Sequence, residues 1–365
     1  MAGGGTGGHL MPALAIAASL RELDRDIEPV LVGARRGVEA GILRSRDFRY
    51  HLLPSEPIYR RTWWKNARWP FVAARLVRRL GALFREEQPA VVLGTGGYAS
   101  GPVVWWAARR GVPSAVQEQN AFPGIATRWL AGRVDEIYLG LPEARGHLTP
   151  GERTVVLDTG NPITPPTPER RAAARTRFGL DAAATRPVVL VTGGSQGALA
   201  INQAVAGWLD AGLAAGASVL WVTGERTYAQ FARYHRPPTV QVIDFLDPMA
   251  DGYAVADLVV SRAGMITVAE LCAWGLPSIL VPLPTAAADH QTVNARVLAD
   301  ARAAVLLSQG DLTPERLGGE VGRLLEVPAR RYAMAEAARA RGRPFASRDI
   351  ARRLLALAGV SRPAF

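Results

Sequence analysis

The stretch RPVVLVTGGSQGA, residues 186–198, carries the clearest fold signal in the chain: an apolar run that ends at paired glycines. An apolar run that passes through a glycine turn into a helix is typical of a buried strand in a parallel sheet. The first half of the chain repeats this pattern as VVLGTGGYASG, residues 91–101. Short apolar runs alternate with amphipathic helices around both stretches. The sequence therefore predicts an α/β protein with two Rossmann-like domains, whose doubly wound parallel sheets face each other across a cleft.

A proline-rich segment separates the two halves, with four prolines between residues 162 and 168. This composition favours a stiff linker. We therefore place one domain at residues 1–161 and the second at residues 162–344. The last helix, at about residues 348–358, is amphipathic, and its pattern alone does not decide which half it packs on.

The composition excludes several classes of protein. The hydrophobic content of 48% and the charged content of 21% are those of a globular chain. The single cysteine, Cys272, excludes a disulfide framework, and no apolar run is long enough for a transmembrane helix. The net charge of +11 suits nucleic acid, anionic lipid or phosphorylated substrates equally well.

Two helix starts in the second half offer groups that suit a nucleotide. The glycine loop at residues 193–197 presents backbone amides and the Ser195 hydroxyl, which favour a phosphate, although the glycines also suit a simple tight turn. In VVSRAGMITVAELC, residues 259–272, Arg262 and Thr267 accompany a second helix start. Glu270 either accepts hydrogen bonds from a ribose or complements the helix dipole. The segment DHQTVNAR, residues 289–296, adds polar groups able to contact a sugar.

The first half brings titratable groups to loops that follow predicted strands. The loops GTGGYASGP and QEQNAFPG contain Tyr98, Glu118 and Asn120, and His9 follows the first glycine loop. His9 and Glu118 are the side chains here suited to general-base catalysis near neutral pH, although His9 also suits a helix cap. The only D-x-D sequence, residues 24–26, lies at a predicted helix end. We therefore expect neither a metal nor a cofactor.

Residues 59–85 contain eight basic residues and no acid, interspersed with Trp63, Trp64, Trp69 and Phe71. One helical face is apolar and consists of Val72, Leu76, Leu80, Leu83 and Phe84. This pattern suits a helix lying in an anionic membrane interface. It suits a core-facing amphipathic helix equally well, whereas no recognition motif supports binding of nucleic acid.

Seven motifs together resemble the MurG family of N-acetylglucosaminyltransferases. They span residue 3 to about residue 300 in the family's order and spacing: GGGTGGHLMPALA, GTGGYASGP, QEQNAFPG, TGNP, GGSQGA, SRAGMITVAE and DHQTVNAR. The resemblance implies a GT-B fold, with UDP-GlcNAc bound mainly by the second domain and the last helix, about 345–365, packed on the first. It implies a peripheral enzyme at the cytoplasmic face of the bacterial cell membrane, associated through residues 59–85.

The resemblance also implies the reaction and its residues. GlcNAc is transferred with inversion, and without a metal, from UDP-GlcNAc to the 4-hydroxyl of the MurNAc-pentapeptide on undecaprenyl diphosphate (lipid I), which gives lipid II for peptidoglycan. His9 is the favoured base, Glu118 the second candidate, and Tyr98 with His9 contacts the acceptor. Donor binding falls to Thr6, Gly7, Gly8, Asn120, Thr164, Ser195, Gln196, Leu246, Arg262, Met265, Ile266, Thr267, Val268, Ala269, Glu270 and Gln291.

The chain departs from the family pattern at several positions. Thr164 stands where the family has an arginine near the donor, with Arg170 or Arg171 as candidates to replace its charge, and Gln117 stands where the family has a histidine. Family members place a short apolar strand before the first glycine loop. We therefore expect the natural start to lie several codons upstream of Met1, and the strands beside that position to lack ladder partners.

Two other functions fit the same architecture. One is a different UDP-sugar enzyme of the GT-B class, such as a glycolipid glycosyltransferase or an epimerase. The other is a UDP-sugar-binding protein without catalytic activity. A transfer assay with UDP-GlcNAc and a lipid I analogue distinguishes all three functions.

Overall fold

The computed structural model describes residues 1–4, 7–35, 39–56, 69–180, 186–194, 197–212, 216–286 and 289–360. The chain forms two compact units, the first comprising Met1–Thr164 with Phe345–Phe365 and the second Pro165–Pro344. The division after Thr164 falls within the proline-rich segment.

The first unit alternates helices with parallel strands. Its strands are β1 (Leu31–Ala34), β2 (Tyr50–Leu53), β3 (Val92–Gly94), β4 (Ser114–Glu118), β5 (Glu136–Leu139) and β6 (Val155–Leu157). Its helices up to β6 are α1 (Gly7–Leu23), α2 (Glu39–Arg44), α3 (Trp69–Glu87), α4 (Gly97–Arg109) and α5 (Ile125–Leu130). β1 pairs with β2, and β3 to β6 pair in sequence order, always in parallel.

Ala2 lies between β1 and β3 and joins them into one layer. It forms parallel bridges to Val32 of β1 and to Gly94 of β3. The Val32 N–H donates to Met1 O at 2.8 Å, and the Thr95 N–H donates to Ala2 O at 2.8 Å. Met1 and Ala2 therefore supply hydrogen-bond partners to β1 and β3. The expectation that these two strands lack ladder partners here is wrong.

Helix α3 contains the second part of the basic segment; residues 57–68, with Trp63 and Trp64, lie outside the described residues. Its apolar face is buried in the core of the first unit through Leu76, Leu80, Leu83 and Phe84. The prediction that this stripe faces a bilayer is wrong, because the stripe already packs against the sheet. The outer face of α3 carries Phe71, which is 76% exposed, and exposed arginines.

The second unit is built around a six-stranded parallel sheet. Its strands are β7 (Val188–Thr192), β8 (Ser218–Val222), β9 (Val240–Ile243), β10 (Leu258–Ser261), β11 (Ser278–Leu280) and β12 (Val305–Leu306). Its helices are α6 (Arg171–Arg177), α7 (Leu199–Asp210), α8 (Tyr228–Phe231), α9 (Met249–Val255), α10 (Met265–Trp274), α11 (His290–Asp300), α12 (Pro314–Glu326) and α13 (Pro328–Arg341). The strand order is β12-β11-β10-β7-β8-β9, which confirms the predicted Rossmann-like α/β fold.

In each unit the strand order reverses at the segment that comes first in the chain, which is Ala2 in the first unit and β7 in the second. Ligands of open α/β sheets bind at the carboxyl ends of the strands at such a point. In the second unit β7 lies between β8 and β10, and Thr192 pairs with Ser261. The loops after these two strands therefore begin side by side. In the first unit Ala2 takes the same central place, between β1 and β3.

The last helix, α14 (Ala346–Leu357), belongs to the first unit. Its buried residues Ile350 and Leu354 share a cluster with Ile16 of α1. Arg353 forms an ion pair with the buried carboxylate of Glu136 in β5. Within the described part of the chain, no helix has the length and apolar character needed to cross a membrane.

Candidate active site

Two glycine-rich loops interlock at the carboxyl ends of the central strands of the first unit. The Gly4 N–H donates to Gly96 O at 3.2 Å. A Cβ atom at Gly97, whose φ is +79°, would lie only 1.5 Å from Gly4 O, so this approach requires glycine. Helices α1 and α4 begin beside these loops, at Gly7 and Gly97. Gly7 and Gly8 thus supply helix N-terminal amides, which favour an anion, whereas Thr6 lies outside the described residues.

His9 is half-buried in the first turn of α1 and lies against the second of these loops. A Cβ atom at Gly96 would lie 2.6 Å from Cδ2 and 3.1 Å from Nε2 of the His9 ring. The Thr95 hydroxyl donates to the backbone carbonyl of His9 at 2.7 Å. The imidazole therefore lies at the carboxyl end of β3, among the loops where the sequence predicts it.

Glu118 ends β4 and is only 3% exposed. Its Oε1 accepts from the backbone N–H of Asn120 at 3.0 Å and from Nδ2 of Asn120 at 3.3 Å. Its Oε2 accepts from the Gly124 N–H at 3.0 Å and from the Thr127 hydroxyl at 2.6 Å. The carboxylate thus shapes the loop that carries half-buried Asn120 and holds the start of α5. Its role as a base stays a prediction.

Buried amides connect the β4 loop to the glycine loops. Gln117 donates through Nε2 to Asn161 Oδ1 at 2.9 Å, and Asn161 donates through Nδ2 to Gln119 O at 3.0 Å. Gln119 in turn donates through Nε2 to Thr95 O at 2.8 Å.

Tyr98 is half-buried in the first turn of α4. The residues predicted to act on the acceptor therefore follow three adjacent segments of the sheet: Ala2, β3 and β4.

In the second unit, two glycines described after β7 have left-handed backbone angles. The φ angles of Gly194 and Gly197 are +80° and +72°, and the Gly197 N–H donates to Gly194 O at 2.9 Å. A Cβ atom at Gly197 would lie 2.3 Å from Thr223 O at the end of β8. Helix α7 starts at Leu199, two residues after Gly197. Ser195 and Gln196 themselves lie outside the described residues.

Arg262 follows β10 directly and is half-buried. Its guanidinium donates to Val281 O at 3.1 Å, to Pro282 O at 3.0 Å and to Gln309 Oε1 at 2.7 Å. Burial lowers the pKa of this group. No carboxylate among the described residues forms an ion pair with it. A half-buried positive charge without an acidic partner, at the carboxyl end of a central strand, suits an anionic ligand such as a diphosphate.

Helix α10 carries most of the remaining residues predicted to bind the donor. Met265 and Val268 are buried, whereas the other predicted residues on this helix are half-buried: Ile266, Thr267, Ala269 and Glu270. The Tyr253 hydroxyl donates to Glu270 Oε2 at 2.8 Å. Burial raises the pKa of Glu270 to about 7. Glu270 is therefore a well-oriented acceptor on the helix that begins where the strand order reverses.

Two further predicted donor residues lie at the ends of other strands of the second unit. Leu246 follows β9 and is buried, close to Gly252, where a Cβ atom would lie 2.6 Å from Leu246 Cδ2. Gln291 lies in the first turn of α11, and its Oε1 accepts from the Leu283 N–H at 3.0 Å. Gln291 therefore holds the loop that follows β11.

Thr164 is exposed, and the arginines proposed to replace its missing charge have other partners. Arg170 donates through Nε to Asp251 Oδ1 at 2.6 Å. Arg171 donates to Asp257 Oδ1 at 3.1 Å. Both guanidiniums thus fasten α6 and the segment before it to the region of α9, so the structure does not support the proposed compensation.

Sequence reasoning missed three hydroxyl groups that contact predicted site residues, those of Thr95, Thr127 and Tyr253. Thr95 lies inside the motif GTGGYASGP, in which only the glycines and Tyr98 were singled out. Tyr253 lies in the apolar segment GYAVAD, which looks like ordinary core. A polar atom at the end of a strand was an available signal for Thr95, whereas none was available for Tyr253.

One group of side chains in the described part of the chain has the composition of a metal site. Ligand atoms of His51, Glu86 and Glu87 lie within 4.8 Å of one another. His51 pairs with Glu87, and the guanidinium of Arg49 lies 3.1 Å from the Glu87 carboxylate and 3.7 Å from that of Glu86. The Arg49 guanidinium thus lies close to both carboxylates of this group, and the absence of a metal stays a prediction.

The fold and these sites define a family 28 glycosyltransferase. The model of the glycosyltransferase family 28 N-terminal domain matches residues 1–139, and that of the family 28 C-terminal domain matches residues 188–354. The structure of MurG from Acinetobacter baumannii is similar over 98% of both chains, with a TM-score of 0.76 and 27% sequence identity.

Relatives identify the particular family. A protein of Salinibacter ruber is 41% identical over 361 residues, which cover 98% of this chain and 96% of the relative. A protein of Prosthecochloris aestuarii is 39% identical over 364 residues, or 98% of each chain. Both are named UDP-N-acetylglucosamine–N-acetylmuramyl-(pentapeptide) pyrophosphoryl-undecaprenol N-acetylglucosamine transferase. The chain belongs to this family of N-acetylglucosaminyltransferases, which confirms the resemblance inferred from its motifs.

Proposed function

We propose that this chain transfers GlcNAc from UDP-GlcNAc to the 4-hydroxyl of the MurNAc-pentapeptide on undecaprenyl diphosphate, converting lipid I to lipid II. The observation that carries this proposal is the placement of the predicted residues where the strand order reverses in each unit. His9 follows Ala2 in the first unit, whereas Arg262 and Glu270 follow β10 in the second. Relatives over nearly the full length bear the name of this activity.

The second unit supplies groups that suit the donor. The glycines after β7 suit the close approach of a phosphate to the backbone, and Arg262 offers a positive charge that no described carboxylate neutralises. Glu270, oriented by Tyr253, suits the two ribose hydroxyls as an acceptor. Leu246 and Gln291 follow the neighbouring strands and complete the proposed donor site.

In the proposed reaction, His9 accepts the proton of the acceptor 4-hydroxyl while that oxygen attacks C1 of GlcNAc. The bond from C1 to the diphosphate oxygen breaks on the opposite face, so the configuration inverts and UDP leaves. We propose His9 rather than Glu118 as the base because each Glu118 oxygen already accepts two hydrogen bonds. We further propose that no metal takes part and that Arg262 and helix N-termini stabilise the departing diphosphate.

The outer face of α3 supports a peripheral position at the cytoplasmic face of the membrane. Phe71 is 76% exposed and Val77 is 45% exposed. Arg75 and Arg78 are exposed on the same helix. Apolar side chains among arginines suit an interface with anionic lipids. We propose that this surface, and not the buried leucine face, contacts the lipid.

The test of catalysis is a transfer assay with labelled UDP-GlcNAc and a lipid I analogue. His9→Ala should lower kcat by roughly a hundred to ten thousand times and leave the KM for UDP-GlcNAc unchanged. His235→Ala, at an exposed turn of the second unit, is the matched control. Transfer only to another lipid would indicate a glycolipid enzyme. Conversion of UDP-GlcNAc without an acceptor would indicate an epimerase, and binding without turnover would indicate a non-catalytic protein.

The test of membrane contact is co-sedimentation with vesicles that contain phosphatidylglycerol. Reversing the charges of Arg75 and Arg78 to glutamate should weaken binding by at least roughly 30-fold, since each basic residue near an anionic surface contributes about 1 kcal/mol. The matched control reverses Arg25 and Arg46, which are exposed elsewhere on the first unit. Equal losses in both double variants would indicate attraction by net charge alone and contradict the proposed surface.

A further inference from the structure

We propose that Thr95 is a positioning residue for His9, an inference that rests on the proposed role of His9 as the base. Thr95 is fully buried, and each of its polar groups binds a different segment. Its hydroxyl donates to His9 O at 2.7 Å, and its N–H donates to Ala2 O at 2.8 Å. Its carbonyl accepts from Gln119 Nε2 at 2.8 Å. Thr95 thus joins the start of α1 to the sheet and to the β4 loop.

The first turn of α1 needs an external contact of this kind. Pro12 lies inside the helix and has no N–H, so the carbonyl of Gly8 lacks its helical donor. The turn that carries His9 is therefore held by fewer helical hydrogen bonds than an ordinary first turn. The Thr95 hydroxyl supplies a bond from outside the helix at the next carbonyl.

Two glycines leave the space that this arrangement requires. A Cβ atom at Gly3 would lie 2.2 Å from Thr95 Oγ1 and 2.7 Å from His9 O. A Cβ atom at Gly96 would lie 2.6 Å from the His9 ring at Cδ2. The imidazole is thus located from two sides, through its own backbone by Thr95 and through its ring by the surface of Gly96.

The first variant, Thr95→Val, removes the hydroxyl at nearly constant volume. His9 O keeps its helical donor, so the fold should persist, while the turn is free to shift. Because a displacement of about 1 Å can cost about a hundredfold in rate, we expect kcat to fall by tenfold or more with the KM for UDP-GlcNAc unchanged. Thr95→Ser keeps the hydroxyl and should restore kcat to within about threefold of the unmodified chain.

Each variant has a matched control in the same unit. Thr154 donates its hydroxyl to Val134 O at 2.7 Å, so Thr154→Val makes the same chemical change elsewhere. Gly96 has a φ of +99° and faces His9, whereas Gly111 has a φ of +68° and nothing within 4 Å of its added Cβ. Gly96→Ala should therefore lower kcat. Gly111→Ala should only strain the backbone, because alanine disfavours a positive φ, and should leave kcat unchanged.

An NMR measurement separates this inference from the proposed function. The chain has only five histidines, so the imidazole Cε1–H signals can be resolved and the His9 signal assigned through His9→Ala. Thr95→Val should move the His9 signal and leave the other four in place, whereas Thr95→Ser should move none. Absence of transfer by the unmodified chain would reject the proposed function, and the NMR result would still decide whether Thr95 positions His9. A folded Thr95→Val variant with an unchanged His9 signal, or with kcat within twofold of the unmodified chain, would overturn the inference.

Discussion

Replacing Glu270 by glutamine should stabilise the free protein and weaken its binding of UDP. Glu270 is half-buried on α10, and one of its oxygens accepts from the Tyr253 hydroxyl at 2.8 Å. Glutamine retains an oxygen that accepts this bond and occupies nearly the same volume. The substitution therefore removes the charge and little else.

The size of the effect follows from the pKa. Burial raises the pKa of Glu270 to about 7, from an ordinary value of 4.5. Between these values the folded chain keeps a proton that the unfolded chain has lost, so the stability falls as the pH rises. A tenfold change in a protonation equilibrium corresponds to about 1.4 kcal/mol. The ionised carboxylate therefore costs the folded chain roughly 3 kcal/mol at pH 8, and less than about 1 kcal/mol at pH 5.

The assay is urea unfolding of the full chain at both pH values, with UDP affinity measured by calorimetry. Glu270→Gln should raise the free energy of unfolding by about 3 kcal/mol at pH 8 and weaken UDP binding by about tenfold, since a charged acceptor is lost. The control, Glu225→Gln, changes an exposed glutamate of the same unit and should change neither quantity. Equal stability of Glu270→Gln and the unmodified chain at pH 8 would refute the burial cost, and unchanged UDP affinity would refute the ribose role.

Three further results are expected. Arg353→Met should destabilise the chain by about 2 kcal/mol in urea titrations, because it leaves the buried Glu136 carboxylate without its charge-assisted partner. Asn202→Leu should cost about 1–3 kcal/mol in the same assay, because Trp221 Nε1 loses the acceptor that lies at 2.9 Å. Burial raises the pKa of the Cys272 thiol to about 12, so iodoacetamide at pH 8 should label it only in the unfolded chain, as mass spectrometry will show.

The apolar pattern predicted the well-buried strands and failed for two short edge strands of the first unit. The apolar runs of the two quoted stretches, residues 186–198 and 91–101, form β7 and β3. In the first half β2 and β6 were not predicted, and each pairs with a single neighbour at an edge. Apart from the buried Leu53, their residues are half-buried or exposed. Such short edge strands lack the continuous apolar run that marks a strand covered on both faces.

The pattern of α3 shows why amphipathicity alone does not identify a membrane helix. An apolar stripe opposite arginines is found whenever one face of a helix is shielded from water, whether lipid or a packed sheet covers that face. The long-range contacts of Leu76 and Leu80 with the core decide between the two. The candidate membrane surface is instead the opposite face, where Phe71 projects among arginines. Phe71 lies outside the apolar stripe, and its exposure is what distinguishes this face in the structure.

The glycine loops could be predicted from the sequence, because a close approach between backbones excludes every other residue. The side chains that orient the site residues could not be predicted. His9 receives its bond from Thr95, 86 residues away, and Glu270 receives one from Tyr253 on a different helix. In both units an ionisable residue lies on the helix that begins where the strand order reverses, and a hydroxyl from a neighbouring segment holds it. Threonine and tyrosine are common in sheets and cores, so their spacing carries no information about this role. The halves therefore resemble each other in how a site residue is held, which their sequences reveal only through the glycines.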